Sequence, residues 1–449
     1  MIFSRQTMTL GLGLSLALSV SFAVAGDTAA QLGGDKLTAV GAERAASADG
    51  SVPAWTPDWK GPAMPESGGI YPDPFANEKP LYSITAKNMS EYQDKLSEGT
   101  KALLQRWPDY KVEVYQSHRV VDFPDWLKAA TLKNATRVKS TEDGGSLEGA
   151  MGGYPYPIPQ TGADVLWNHN LRYYGPAYRS RFAGYMVDSS GNLILTHDLE
   201  NYTDSPYHDN PDEPQRSFQR RLSAYVGPAR NVGDKTLTYM TLNFNKDGNN
   251  KLWNYSQGQR RVRLAPDFGY DSPMTNAGGA YFFDELGMWE GQLDRFNFKL
   301  VGKKELIVPY NNYKLLMHST AKDAYGKLFA NPDLTRWETH RVWVVEATLK
   351  PGQRHAQSKK VFYVDEDSWS IVLYEGYDQG GKLMRSAQGF ITYDWNTKSV
   401  PNTPMIIYDL VKGQYCSTMH MTGGSGYVRV DRWPNSRLTP ESMAGSGIR

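Results

Sequence analysis

The chain has 449 residues, 40% hydrophobic and 22% charged, with 49 Lys and Arg against 48 Asp and Glu. That balance leaves no basic block for nucleic acid or for an anionic membrane surface. The single cysteine, Cys416, excludes an internal disulfide, and a chain this long buries a large core without one.

Residues 1–25 read as a signal peptide. Arg5 is the only charged side chain before Asp27, an apolar run extends from Met8 to Val20, and Ala23-Val24-Ala25 offers small residues for cleavage after Ala25. Removing Arg5 with the leader leaves 48 basic side chains against 48 acidic ones, a formal net charge of zero. No Cys lies near the cleavage point, so lipid attachment there is excluded. No later run approaches about 18 apolar residues. These features predict a soluble periplasmic protein.

Residues 26–85 form an extended N-terminal segment, with seven prolines between Pro53 and Pro80. Proline fixes φ and removes a donor, so this segment runs over the surface. Trp55, Trp59 and Phe75 pin it down. The remainder, 86–449, reads as one large domain with insertions. A helix is predicted over 90–106, capped by Ser90 and stopped by Pro108. Val112–Val121 alternates as a strand. The stretch from Gly144 to Gly162 is too rich in Gly and Pro for regular structure. Thr161 caps a predicted helix reaching Arg172, and Glu213–Tyr225 and 276–289 are further helix candidates.

From about residue 170 the pattern is mainly β. Strands are predicted at Tyr178–Val187, Leu193–Tyr202, Thr236–Asn243, Lys251–Ser256, Arg260–Leu264, Phe296–Ile307, Thr339–Leu349, Lys360–Val364, Ser370–Gln379, Leu383–Tyr393 and Met405–Leu410. Ser189-Ser190-Gly191-Asn192, Asn245 to Asn249 and Asp378-Gln379-Gly380-Gly381 are hairpin loops, because Asp and Asn favour local turns and Gly supplies positive φ. Short connections make successive strands antiparallel. The 28 Tyr, 12 Trp, 42 Gly and 26 Pro favour the same reading. The fold class is mainly β: a large curved antiparallel sheet or open half-barrel, with helices covering its concave face.

Local motifs carry little chemistry. No two of the eight histidines sit at i, i+3 or i+4, and there is no C-x-x-C, so no metal site is expected. Asp209 to Glu213 lacks the alternating ligands of a calcium loop. Ser319-Thr-Ala-Lys322 matches S-x-x-K without its companion motifs. Gly423-Gly424-Ser425-Gly426 reads as a loop, and Cys416 as a buried thiol. No dinucleotide fingerprint or P-loop is present, so no cofactor is expected. The expectation is a protein that is not an enzyme.

Several stretches carry a resemblance. They are Lys36-Leu-Thr-Ala-Val-Gly-Ala-Glu-Arg44, Ala48-Asp49-Gly50, Pro53-Ala54-Trp55, Gly152-Gly153-Tyr-Pro-Tyr-Pro-Ile-Pro159, Trp167-Asn168-His169 with Arg172, Gly258-Gln-Arg-Arg-Val-Arg263 with Ala265-Pro266, Phe268-Gly-Tyr-Asp271 and Arg336-Trp-Glu-Thr-His-Arg-Val-Trp343. Together they resemble a periplasmic family catalogued as a domain of unknown function and similar to the outer-membrane lipoprotein-sorting (LolA/LolB-like) carriers. The resemblance implies a half-barrel enclosing an apolar cavity for acyl chains. It also implies a setting beside export permeases of the resistance–nodulation–division type.

The function expected from both readings is a periplasmic carrier or chaperone that moves a lipid or other hydrophobic molecule between envelope membranes. An acyl chain of about 16 carbons costs on the order of 12 kcal/mol to leave in water. Expected lining residues are Leu237 and Tyr239, Trp253 and Tyr255, Trp343 and Val345, and Ile371 and Leu373, with contact against covering helices as their other reading. Expected partners are the hydrophobic cargo and an inner-membrane permease or outer-membrane partner. The alternative is a non-catalytic accessory subunit of an export complex, docking through 53–82. An envelope hydrolase is a third reading.

Overall fold

A computed structural model describes residues 31–141, 144–209, 216–265, 269–401, 404–421 and 426–445. The predicted signal peptide, the acidic turn at 210–213, Pro266, Phe268 and the loop at 423–425 lie outside these residues. No described helix is long and apolar enough to cross a membrane.

Two meanders build the sheet. The first holds β1 (Ala177–Val187), β2 (Leu193–Asp204), β3 (Ser217–Gly227), β4 (Lys235–Thr241), β5 (Lys251–Ser256) and β6 (Arg261–Leu264). The second holds β7 (Phe296–Pro309), β8 (Trp337–Leu349), β9 (Lys359–Asp365), β10 (Ile371–Tyr377), β11 (Leu383–Gly389), β12 (Met405–Asp409) and β13 (Gln414–Met421). β13 pairs antiparallel with β1 and so joins the two meanders, and β14 (Tyr427–Arg429) continues the pairing along β1. With short N-terminal strands added, seventeen strands share one sheet among the described residues. The single parallel pairing sets Val114 beside Trp337. Among the described residues no pairing closes β6 onto β7, and the sheet is open.

Turn chemistry sets the hairpins. Between β1 and β2, Asp188 Oδ1 accepts from the amides of Ser190 and Asn192, both at 2.9 Å, and Gly191 takes φ 82°. Between β10 and β11, Asp378 Oδ1 accepts from Gly380 and Lys382 in the same way, at 2.9 Å each, with Gly381 at φ 77°. Both positive-φ positions admit glycine at no steric cost.

Three helices precede the strands: α1 (Glu98–Arg106), α2 (Asp125–Arg137) and α3 (Gly162–Asn170). Thr161 caps α3 as expected: its hydroxyl accepts from the Asp164 amide, and the Asp164 carboxylate accepts from the Thr161 amide at 3.0 Å. α3 also reveals the curvature of the sheet. At its start, Gly162 abuts Val345 of β8 and Phe298 of β7. Just past its end, Asn170 and Arg172 share a small cleft with Gln219 of β3 and Met240 of β4. Strands β8 and β3 stand eight places apart in sheet order, about 38 Å if the sheet were flat. Nine helical residues span only about 14 Å. The sheet therefore curls around α3, giving the expected open half-barrel with a helical cover.

Residues packed within this curve form the main core, including Trp167, Trp289, Trp337 and Trp369. A second core lies on the other face of the first meander. There Tyr202, Leu222, Leu237 and Tyr255 are covered by Leu438 and Met443 of the C-terminal segment.

Several local expectations are corrected. The described part of Glu213–Tyr225 is not helical but is β3, hydrogen-bonded to β2 and β4 on both sides. Neighbouring arginines obscure its alternation, and each is neutralised by a distant carboxylate: Arg220 by Asp204 and Arg221 by Glu290. The helix predicted over 90–106 breaks at Leu96 into a 3-10 piece, Met89–Lys95, and α1; Ser97, not Ser90, caps α1, accepting from Thr100 at 3.1 Å. The helix predicted over 276–289 is two short 3-10 pieces, interrupted by Gly278, Gly279 and Gly287 at positive φ. The strand from Val112 stops at Val114. The predicted loop at 245–249 starts in a single helical turn, Phe244–Asp247, capped by Asn243. The helix α2 and the strand β13 were not anticipated.

Candidate functional site

Strand alternation gives the first meander two faces. Cross-strand partners Phe182–Leu199, Asn201–Ser223, Arg221–Thr238, Ser223–Thr236 and Thr238–Leu252 all look inward. A strap formed by residues 269–292 crosses this face. Between strap and sheet lies a cavity of about 270 Å³. Its apolar lining includes Phe182, Leu199, Tyr225, Met240 and Leu252 from the strands and Tyr281 and Leu286 from the strap.

The polar groups at its wall are mostly paired to each other. Arg221 of β3 makes a two-pronged bond to Glu290 of the strap, at 3.2 and 3.1 Å, which ties strap to sheet. Ser223 donates to Asn201 at 2.5 Å. His197 is buried, with Nε2 3.1 Å from the Thr418 carbonyl and Nδ1 3.1 Å from the Thr196 hydroxyl. Burial drops its pKa to about 4, so the imidazole is neutral at pH 7. Gly184 of β1 makes room for that ring: a Cβ there would stand 2.1 Å from His197 Cε1.

Beneath the strap, Asp284 Oδ2 meets His355 Nε2 at 3.0 Å and Lys360 Nζ at 2.8 Å. Burial alone would raise the Asp284 pKa, but Lys360 and His355 outweigh it and hold the carboxylate below its usual range. Asp284 also lines the cavity, and its Oδ1 has no hydrogen-bond partner. Its neighbour Glu285 accepts from Gln357 at 2.7 Å and Tyr374 at 3.1 Å. The arrangement can enclose a small apolar body.

None of the eight residues expected from the sequence lines this cavity. Leu237, Tyr239, Trp253 and Tyr255 sit one register step away, on the opposite face of β4 and β5, in the second core. There the Tyr239 ring packs edge-on against Trp253 at 5.1 Å, and its hydroxyl donates to the Leu438 carbonyl. Trp343 stacks on Trp369, in the turn between β9 and β10, at 6.2 Å, and Val345 meets Gly162 of α3. Ile371 and Leu373 are buried in the main core, where the Ile371 amide bonds to His169 of α3 at 3.1 Å. The cavity-lining Thr236, Thr238 and Met240 interleave with Leu237 and Tyr239. Their weaker hydrophobicity hid them, because the pattern fixes an alternation and not which face a cover leaves open.

The nucleophile candidates are placed as well. Ser319 gives its hydroxyl to the Leu315 carbonyl at 2.7 Å. Cys416 is buried in the middle of β13, where burial pushes its thiol up to about 12.

Two distant likenesses are found among solved structures. A DUF1329 family protein from Desulfovibrio piger is 13% identical with a TM-score of 0.40, covering 63% of this chain and 97% of its own. The LolA superfamily protein NE2245 from Nitrosomonas europaea is 11% identical with a TM-score of 0.35, covering 63% and 98%. Neither carries a conclusion about ligand or partner. The sequence relationship is far stronger: uncharacterized protein PA3922 of Pseudomonas aeruginosa is 41% identical over 440 residues, 95% of each chain. The family model described as protein of unknown function DUF1329 matches residues 83–444, and the chain therefore belongs to the DUF1329 family.

Proposed function

We propose that the protein is a periplasmic carrier for a small amphiphile and has no catalytic role. The observation that supports this is the cavity under the strap, apolar along the strands. Its size decides the class of cargo. At about 30 Å³ per water-sized group, 270 Å³ takes roughly nine such groups. That suits one short acyl chain or one ring system held within the cavity. Burying nine methylenes gains about 7 kcal/mol before the costs of association, so apolar contact alone gives weak, reversible binding. Release requires the strap to lift, and the Arg221–Glu290 pair is the contact that must open. The signal peptide supports the periplasm as the working compartment, with a permease or outer-membrane protein as donor or receiver.

The aromatic segment at 53–82 supports this reading over a docking subunit. Trp59 stacks on Phe75 at 5.9 Å and packs edge-on against Trp395 at 5.5 Å. Tyr71 is buried, and Trp55 donates to the Val121 carbonyl at 2.9 Å. These rings hold the segment to the body of the protein.

Mass spectrometry of protein purified without detergent tests the carrier. A co-purified amphiphile of about nine carbons in its apolar part is the expected result. Protein that carries none, and that takes up no fluorescent short-chain fatty alcohol or amine, rules the proposal out.

A further inference from the structure

A second polar centre lies on the face of β8 turned away from Trp343 and Val345, independent of the cavity. Alternation along Arg336 to His340 puts Arg336, Glu338 and His340 on that face. The turn between β9 and β10, from Asp365 to Ser370, closes over it, since Asp365 pairs with Val342. Four carboxylates are buried here, Glu338, Asp365, Glu366 and Asp367.

The hydrogen bonds fix the orientation of each group. The His340 ring stacks under Tyr310, with centroids 3.7 Å apart. Its Nε2 meets Glu338 Oε2 at 3.1 Å. Glu338 is itself held by Arg336 at 2.5 Å, Asn311 at 3.0 Å and the His118 amide at 2.7 Å. That leaves His340 Nδ1 turned toward Asp365. One oxygen of Asp365, Oδ2, accepts from the Tyr310 hydroxyl at 3.0 Å and from the Ser368 amide and hydroxyl at 2.8 and 2.6 Å. The other, Oδ1, faces His340 Nδ1 at 3.9 Å. Both atoms are completely buried and neither has a hydrogen-bond partner.

A gap of 3.9 Å is too long for a hydrogen bond. Two donors each about 2.1 Å from a tetrahedral zinc stand about 3.4 Å apart, so a closure of about 0.5 Å brings both atoms onto one ion. A third donor is at hand, because ligand atoms of His340, Asp365 and Asp367 all lie within 4.8 Å of one another. The charges agree. Glu338 is paired with Arg336, Glu366 with Lys303 at 2.7 Å, and Asp367 with Arg119 at 2.7 Å. Asp365 meets no Lys or Arg within ion-pair distance among the described residues.

We propose that His340, Asp365 and Asp367 form a zinc site that joins β8 to the β9–β10 turn. One imidazole nitrogen with two carboxylates suits zinc, whereas calcium and magnesium favour oxygen alone. The far nitrogen of His340 bonded to Glu338 is the carboxylate–histidine arrangement that orients metal-binding imidazoles. Arg119 grips Asp367 from outside and also donates to the carbonyls of Glu43 at 2.6 Å and Pro53 at 3.2 Å. The ion thus stands behind the anchor of the N-terminal segment, a structural role. Neither sequence spacing nor a local motif could show it, because the ligands come from two strands and a turn.

The full mature chain is treated with EDTA, unfolded in guanidinium and refolded with or without zinc chloride, since the ligands are buried. After desalting, metal is counted by plasma mass spectrometry and thermal unfolding is recorded. The expected result is about one zinc per chain and a melting temperature several degrees above the zinc-free chain. Asp365→Asn and His340→Gln should each lose the zinc and the shift, whereas the more exposed His118→Gln keeps both. Wild-type protein that retains no zinc, or that melts identically with and without it, overturns the site even if the variants do not fold. So does zinc retained equally by Asp365→Asn and His340→Gln.

Discussion

Leu252→Trp offers a direct measure of the cavity. Leu252 faces the space from β5, opposite Thr238 of β4. Each methylene buried gains about 0.8 kcal/mol, or about fourfold in affinity. For a series of primary alcohols or amines of increasing length, affinity should climb at that rate to about nine carbons and then level off, where the 270 Å³ is filled. The indole adds about 60 Å³, two water-sized groups. The plateau should therefore arrive about two carbons earlier, and a nine-carbon ligand should bind about 15-fold more weakly, a loss of about 1.6 kcal/mol. Shorter members of the series should be unaffected. Displacement of a fluorescent probe, titrated across the series, supplies the measurement. An unbroken rise to 16 carbons, or an unchanged plateau in the variant, would refute the assignment of this cavity as the site.

Three further outcomes follow from named contacts. Gly184→Ala puts a methyl into the His197 ring, and urea unfolding should show a loss of about 1–3 kcal/mol, as for overpacked cores; a variant as stable as wild type would mean the ring moves freely. Arg119→Met strands the buried Asp367 and Glu366 carboxylates and frees the carbonyls of Glu43 and Pro53, so a cost of about 3–5 kcal/mol is expected, with earlier proteolysis in the N-terminal segment. For His197, burial lowers the folded-state pKa to about 4 from the ordinary 6.5, so the unfolded chain binds the extra proton between those values. Its stabilising contribution is complete above pH 6.5 and is lost as pH falls toward 4, up to about 3 kcal/mol. His197→Gln should flatten the stability profile across that window, and equal slopes in the two proteins would contradict the buried neutral imidazole.

The hairpins show what local chemistry can carry. Asp188 and Asp378 each fold their own turn with bonds inside five residues, and Thr161 with Asp164 starts α3 in the same way. Such signals need no distant partner, so the mainly β class, most strands and the helical cover were legible. The strand β3 was not, because its arginines look like a helix surface until Asp204 and Glu290 arrive from elsewhere in the chain. The strand β13 was missed although it is the seam of the whole sheet, lying between β12 and β1. Its mixed sequence, Gln414 to Met421, shows no clean alternation and settles as a strand once both neighbours are present to take its backbone groups.

The sequence by itself determined a charge-balanced, sheet-rich chain, and its spaced motifs marked the family. Alternation along β4 and β5 was also a property of sequence, since side chains of a strand point to opposite faces. Which face encloses a cavity was decided only by tertiary structure. The C-terminal segment fills the side of Leu237 and Tyr255, while the strap stands off the side of Thr238 and Leu252 and leaves room. Likewise, each carboxylate and imidazole around His340 was visible as a residue. Only the folding of β8 against the β9–β10 turn brought His340 and Asp365 face to face, because electrostatic contact depends on distance in space and not on distance along the chain.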